Sequence, residues 1–517
     1  MAPPRAAGMT IAGSLNVAQR TADLERISRE PLDVLVIGGG ITGAGVALDA
    51  AARGLRCGLV ERRDLANGTS RWSSKLVHGG LRYLRHLQVD VAWESARERH
   101  ILMTTTARHL VRPLPFVAPL NDTLPPLGGV LTEMGIRAGD VLRLASGTRR
   151  AALPGPRRIS ALETRQLIPA LRAADLRGGV LFWDGQLEDD ARLVIAVART
   201  AAVEGAAIVT HCTAVSVDGG RVTVRDEVSG AVFAVHARTV VNAAGVWAGT
   251  VDPTVRLRPS KGAHLILDAD ALGDPRAAVI VPVPSESARW VGATPTGEGR
   301  LIVGVTDDEY RGAISEEPEV TPAEEAFLLD TISSVLRTPL TTADVVGRYA
   351  GFRPLLDTGA GSTADISRRH AIIESADGRM LTLVGGKLTT YRRMAQDAVD
   401  RIVRRHGGPP STTASLPLVG AAALPAAAAA GLPPRLVRRF GSEAPLVAAL
   451  AAGDSSLLEP LFAGTPVLGI ELVFGVHHEG AMDVDDLLDR RVRLGLVPAE
   501  RRRAEAFAEH LLQRLAA

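Results

Sequence analysis

Residues 32–65 read LDVLVIGGGITGAGVALDAAARGLRCGLVERRDL, and the order of apolar, glycine and acidic positions in them decides the fold. Residues 33–37 form an apolar, β-branched run of the kind that makes a buried parallel strand. The run passes directly into Gly38-x-Gly40-x-x-Gly43, with Gly39 and Thr42 inside the turn, and then into an alanine-rich helical stretch to about Arg53. Gly54 stops that helix, and a second apolar strand finishes at Glu61. The glycines permit a tight turn, close approach of backbone to a pyrophosphate, and close packing of helix on strand. The helix N-terminus adds free N–H groups and positive dipole for phosphate. Glu61, 18 residues beyond Gly43, is placed to accept a hydrogen bond from a ribose 2′-hydroxyl. Together these predict a dinucleotide-binding βαβ unit.

The rest of the composition describes what surrounds that unit. At 517 residues, 46% hydrophobic and 22% charged, the chain is long enough for two or three domains of ordinary soluble character. A formal charge of +2 gives no reason to expect nucleic acid. Residues 1–30 lack the apolar core of a signal peptide and read as an N-terminal tail, and no run reaches the roughly 18–20 apolar residues of a membrane span. The two cysteines, Cys57 and Cys212, fall in strand-like runs and are expected to be reduced and buried, with no metal site. A cytoplasmic protein follows from that reading.

The glycine fingerprint does not by itself separate NAD from FAD. It occurs once, near the start, leaving no second fold for a nicotinamide partner. Far downstream, ARTVVNAAGVWAG (237–249) is another buried strand ending in small residues and Gly245. A late strand that returns to the first sheet suits an FAD domain assembled from distant segments. The expected division places that domain at 31–112, 179–257 and 345–408, and a substrate domain at 113–178 and 258–344. A Pro/Ala-rich linker (409–434) and a helical C-terminal domain (435–517) follow.

Six stretches, in order, carry a family resemblance: 38–55, GTSRWSSKLVHGGLRYL (68–84), DGQLEDDARLV (184–194), SKGAHLIL (260–267), YAGFRPLL (349–356) and LVGGKLTTYRRMAQDAVD (383–400). The sequence resembles the FAD-dependent glycerol-3-phosphate dehydrogenases of the aerobic, respiratory type. The resemblance spans roughly residues 33–400 and resumes more weakly at 437–444 and 477–494. It implies an α/β fold with a Rossmann-like FAD-binding domain of the glutathione-reductase/D-amino-acid-oxidase type, a β-sheet substrate domain and a helical C-terminal domain.

The chain has 56 arginines and only three lysines, Lys75, Lys261 and Lys387, and all three lie within those stretches. Lys387 follows Gly385 and Gly386 and precedes a helix start with hydroxyls in its first turn. Such a turn presents N–H donors and positive dipole to a negatively charged group, and Lys387 adds a movable cation. Lys261 reads equally well as a solvated lysine at the start of a strand. Thr69, Ser70, Ser73 and Ser74 are short donors suited to phosphate and flavin, and Gly79 and Gly80 allow an unusual backbone path. Oxidation of a secondary alcohol needs a proton acceptor, for which His264 and His78 are the candidates.

The resemblance turns these into expectations. Gly38, Gly39, Gly40, Thr42, Gly43, Glu61, Thr69, Ser70, Ser74, Lys75, His78, Gly79, Gly245, Gly386, Lys387, Leu388 and Thr389 are expected at the cofactor. Arg82, Tyr83, Arg353 and Arg368 are expected at the substrate, with Arg368 preferred over the adjacent Arg369. Lys387, His264 and Arg353 are the expected catalytic set. The implied reaction oxidises sn-glycerol 3-phosphate to dihydroxyacetone phosphate and passes electrons to a quinone. An oxidase using oxygen, or a related flavin-dependent oxidoreductase of a small hydroxy substrate, is the alternative. Peripheral association with the inner face of the cell membrane and a homodimer accompany the resemblance. Two departures from it are a shortened region near 115–150 and few aromatics around 281–294.

Overall fold

A computed structural model describes residues 11–80, 88–124, 126–283, 289–357 and 369–516. Its centre is the Leu32–Ile37 strand, which pairs in parallel with Cys57–Val60 on one side and Val232–Asn242 on the other. Because successive side chains of a strand face opposite ways, Val34 and Val36 join one core while Leu35 and Ile37 join another. The first core is closed by the helices Ile41–Ala51, Asp190–Val203 and Tyr391–His406. The second is closed by Val17–Arg29 and the small antiparallel strands Cys212–Asp218 and Arg221–Asp226. Ala207–Val209 and Met380–Val384 extend the parallel sheet at its two sides, and Ala371–Glu374 adds antiparallel to the latter.

A second, mainly antiparallel sheet contains Val111–Leu120, Gly178–Leu187, Ser260–Asp268, Ala278–Pro282, Trp290–Pro295, Arg300–Gly304 and Val345–Arg353. The helix Pro322–Ser333 covers it with Leu328, Leu329 and Ile332, all buried. The expected boundaries at 179 and 345 do not coincide with the two sheets. Gly178–Leu187 pairs along its whole length with Val111–Leu120, and Val345–Arg353 with Ser260–Asp268, so both belong to the second sheet.

Two further segments differ from expectation. Val17–Arg29 is no tail: Ile27 is buried in the core, and Arg20 donates to the Thr210 carbonyl and pairs with Asp226. The stretch 409–434 is packed: Leu418 sits in the first core, and Thr413 donates to the Asp49 carboxylate at 3.0 Å. Proline and alanine here make a strap that follows the protein surface.

The C-terminal helices Pro434–Phe440, Ala444–Ala449, Gly469–His478 and Pro498–Ala516 build two small cores of their own. Buried arginine–carboxylate pairs fasten them to the nucleotide domain. Arg192 grips Glu479 with both terminal nitrogens at 2.6 and 2.5 Å. Arg199 grips Glu443 likewise, at 2.7 Å for each contact. Arg490 and Arg491 converge on Asp64, three residues past Glu61.

Removing one partner of a buried pair strands the other charge, which costs about 3–5 kcal/mol. Glu479→Ala is therefore expected to lower the denaturation midpoint by an amount corresponding to that loss, with circular dichroism as the readout. Burial pushes the Glu479 carboxyl up, but Arg192, with Arg199 and Arg491, outweighs it and holds the pKa below the ordinary glutamate value. A depressed folded-state pKa contributes stability above the unfolded value and loses it as pH falls through the folded one. The Glu479 contribution to acid unfolding should thus be missing from the variant; identical acid profiles would contradict the pairing.

Candidate functional site

The parallel strands all end along one edge, and there the chain turns to line a cleft of about 680 Å³ between the two sheets. Ile37 leads to Gly38, Val60 to Glu61, Asn242 to Ala243, and Val384 to Gly385, and the second residue of each pair lines it. Ligands of open α/β sheets bind at such carboxyl ends.

The first turn is made by contact that only glycine allows. Gly38 has φ +113°, and a Cβ at Gly43 would lie 1.9 Å from the Gly38 carbonyl oxygen. Gly38, Gly40 and Thr42 line the cleft, while Gly39 and Gly43 shape the turn from behind. No side chain of the helix itself caps Ile41–Ala51; Ser70 Oγ, brought from another loop, accepts from Ile41 N at 2.9 Å. Glu61 accepts from Gly39 N at 2.6 Å and from Arg63 N at 2.9 Å, tying the acid to the glycine turn. Burial raises its pKa, opposed by those two N–H donors.

Two more turns reach the cleft. Gly245 opens a 3₁₀ turn with φ +59°. Gly385 and Gly386, both at φ +75°, precede the 3₁₀ turn Leu388–Thr390 and the helix Tyr391–His406, so Gly386, Lys387, Leu388 and Thr389 line the cleft beside a helix N-terminus. Thr69 and Ser74 line it as well, and Thr69 donates to the Phe352 carbonyl at 2.7 Å, joining this loop to the second sheet. The donor set fits FAD: a glycine turn and helix N-terminus for a pyrophosphate, a carboxylate for a ribose hydroxyl, and a second glycine turn with a cation for a ring that gains electrons.

The second sheet contributes Arg353 and His264 on paired strands. Arg353 Nη1 donates to Asp307 at 3.0 Å and to Ser260 Oγ at 3.1 Å, and Nη2 to the Thr306 carbonyl at 3.3 Å. Gly262 leaves room for it, since a Cβ there would lie 2.5 Å from Arg353 Nη2. His264 is 2% exposed; its ring stacks on Tyr349 with centroids 4.6 Å apart, and its Nε2 lies 2.7 Å from Ser74 Oγ. Burial, with Lys75 and Arg353 facing it, holds the imidazole well below the usual histidine value, so the ring is neutral. Lys387 Nζ donates to Ser95 Oγ on the helix Val89–Ile101. His78 also lines the cleft.

Lys75, expected at the cofactor, does not join them in lining the cleft. Its ammonium turns inward to Asp190 at 2.8 Å and to the Arg71 carbonyl at 3.2 Å, and the residue borders a separate cavity. A compact ammonium reaches a buried carboxylate that a planar fork would overfill. Lys261 is similar, paired with Glu324 at 2.8 Å. Gly79 sits outside the cleft lining too: its N–H donates to Asp184 at 3.0 Å, and a Cβ would strike Arg99. Arg82, Tyr83 and Arg368 lie outside the described residues, whereas Arg369 is an exposed partner of Asp90.

Sequence reasoning passed over Trp72, Trp247 and Asp307. Trp247 lines the cleft two residues past Gly245, with the Arg62 guanidinium 4.6 Å from its ring centre. Asp307 fixes Arg353 from a loop with no motif to mark it. Cys57 and Cys212 are buried and unpaired with each other, their thiols pushed up to about 12 by burial.

Comparison with known proteins matches this geometry to a family. A sequence profile described as FAD dependent oxidoreductase covers residues 33–392, and one described as the C-terminal domain of alpha-glycerophosphate oxidase covers 411–517. Glycerol-3-phosphate dehydrogenase 1 of Mycobacterium tuberculosis is 50% identical over 516 residues, spanning 98% of this chain and 100% of its own. The mitochondrial glycerol-3-phosphate dehydrogenase of Arabidopsis thaliana is 34% identical over 535 residues, spanning 93% and 82%. A solved structure of the Bacillus halodurans glycerol-3-phosphate dehydrogenase complexed with FAD aligns with a TM-score of 0.71 at 27% identity, over 97% of each chain. On this evidence the chain belongs to the FAD-dependent glycerol-3-phosphate dehydrogenase family.

Proposed function

We propose that this protein oxidises sn-glycerol 3-phosphate to dihydroxyacetone phosphate and delivers the electrons to a membrane quinone. The observation that carries the reading is the meeting of Arg353, Lys387 and neutral His264 in the same cleft as the glycine turn and Glu61. Arg353 offers a planar fork to the phosphate, and Asp307 with Ser260 keeps that fork from swinging away. Lys387 holds the substrate hydroxyl and places positive charge where negative charge develops. His264 takes the hydroxyl proton on its neutral ring, which lines the cleft and whose Nε2 lies 2.7 Å from Ser74 Oγ. FAD, when bound, supplies the two-electron acceptor for the hydride that leaves the carbinol carbon.

The quinone reading draws support from the helix Pro126–Ala145. Val130, Met134, Val141 and Leu144 lie on one stripe of it and are 43%, 61%, 64% and 50% exposed. Exposed Arg149 and Arg150 follow its end. This apolar face carries exposed Arg137 among its residues, and a mixed apolar and arginine face suits the surface of an anionic bilayer, where quinones reside. No helix among the described residues is long and apolar enough to cross a membrane.

Arg353→Lys keeps the charge and loses the fork, so kcat/KM for glycerol 3-phosphate should drop by the equivalent of about 1.5–3 kcal/mol. Glycerol, which lacks the phosphate, should be affected far less, and equal losses would show that Arg353 does not read phosphate. For Lys387→Met, stopped-flow measurement under anaerobic conditions should find the reductive half-reaction slowed about 10²-fold with FAD still bound. Lys387→Arg should recover only a small part of that rate; full recovery would refute the need for a compact, movable charge. A Met134→Glu/Val141→Glu double variant should stop co-sedimenting with anionic vesicles and lose quinone reduction in them, yet turn over a soluble dye acceptor normally. Undiminished sedimentation would remove this helix as the membrane contact.

A further inference from the structure

The stretch 184–194 holds three buried aspartates that the reaction proposed above does not use. Asp184 binds Gly79 N and Arg99. Asp189 caps the helix Asp190–Val203 and meets Arg439 of the C-terminal domain at 3.2 Å. Asp190 is arranged differently. One of its oxygens, Oδ2, accepts from Ser73 N at 2.9 Å, Ser73 Oγ at 2.8 Å and Lys75 Nζ at 2.8 Å. Three donors from one three-residue loop converge on a single fully buried oxygen.

That convergence fixes the residues on both sides of Ser74, whose Oγ meets His264 Nε2. Tyr349 closes the arrangement from the second sheet: its hydroxyl donates to the Ser73 carbonyl at 2.9 Å, and its ring stacks on His264. Lys75 Nζ lies 5.1 Å from the centre of the same ring, with the Lys75 backbone at φ +55°. A non-glycine residue keeps that conformation when its surroundings over-determine it. A carboxylate at a helix start would interact favourably with the helix dipole even if exposed. Dipole complementarity therefore does not account for complete burial against this particular loop.

We propose that Asp190 is a positioning residue for His264, acting through the Ser73–Lys75 loop, which holds Ser74 Oγ against Nε2 of the ring. The proposal rests on the reading of His264 as proton acceptor. Lys75 has a second part in it. The charged groups facing the imidazole are Lys75 from this loop and Arg353 from the neighbouring strand, with Asp190 behind Lys75 and Tyr349 uncharged between them. Both cations disfavour imidazolium, so the loop that orients the ring also helps to keep it unprotonated.

A double-mutant cycle in the FAD-loaded full chain tests this. In the wild-type background, Asp190→Asn should keep its FAD and lower kcat for glycerol 3-phosphate on the order of 10–100-fold, the effect of a slightly misplaced group. In a His264→Asn background the same change should cost almost nothing further, because residues that act as one unit are non-additive. Equal losses in both backgrounds would overturn the proposal while leaving His264 as the base. His264→Asn with wild-type kcat would instead refute the base reading itself, and this proposal with it. Should Asp190→Asn fail to fold, Lys75→Met decides: the acid limb of its kcat/KM–pH profile should move to higher pH, since removing the nearby cation makes His264 easier to protonate. An unmoved limb would overturn the proposal.

Discussion

The contact between Gly43 and the Gly38 carbonyl governs how this protein is put together. With no room for a side chain at Gly43, the helix starts directly against the strand end it follows. Its N–H groups then face the same edge at which Cys57–Val60, Val232–Asn242 and Met380–Val384 terminate. Four segments, the first ending at Ile37 and the last at Val384, therefore deliver their turns to one cleft, and the second sheet needs only to lie across it. Any side chain at this position would push the helix from the sheet and misdirect its dipole.

Arginine performs the second organising task. Asp64 stands just beyond Glu61 in the loop whose Ala66 N–H donates to the Gly39 carbonyl at 3.0 Å. Arg490 and Arg491 of the C-terminal domain fix that aspartate. The C-terminal domain thus braces the cofactor turn from behind, by charge pairs that would be costly if broken. The same physics appears at Arg353 with Asp307 and at Lys75 with Asp190, where a buried carboxylate limits how far a cation or its loop can move.

Much of the nucleotide half was legible in the sequence because its requirements are local. Gly38, Gly40 and Gly43 answer backbone geometry, and the alternation of Val34, Leu35, Val36 and Ile37 answers burial on two faces. Boundaries were less legible because Gly178–Leu187 and Val345–Arg353 are apolar strands like any other, assigned to a sheet only by partners far along the chain. The helix Val17–Arg29 escaped notice because it has few apolar anchors, and the 409–434 strap because proline and alanine describe a path without revealing what Leu418 packs against. Lysine rarity pointed to three positions of consequence, but rarity does not say which way an ammonium points. At Lys387 it borders the cleft; at Lys75 it answers a buried acid and at Lys261 a half-buried one.

If one cleft holds the cofactor and takes glycerol 3-phosphate as reductant, the substrate alone must reduce the bound flavin. Anaerobic titration of the FAD-loaded wild-type protein with glycerol 3-phosphate, followed by visible absorbance, tests it directly. The oxidised flavin spectrum should be lost with stoichiometric substrate, with no comparable change on adding glycerol. An oxidised spectrum that survives excess glycerol 3-phosphate would contradict it.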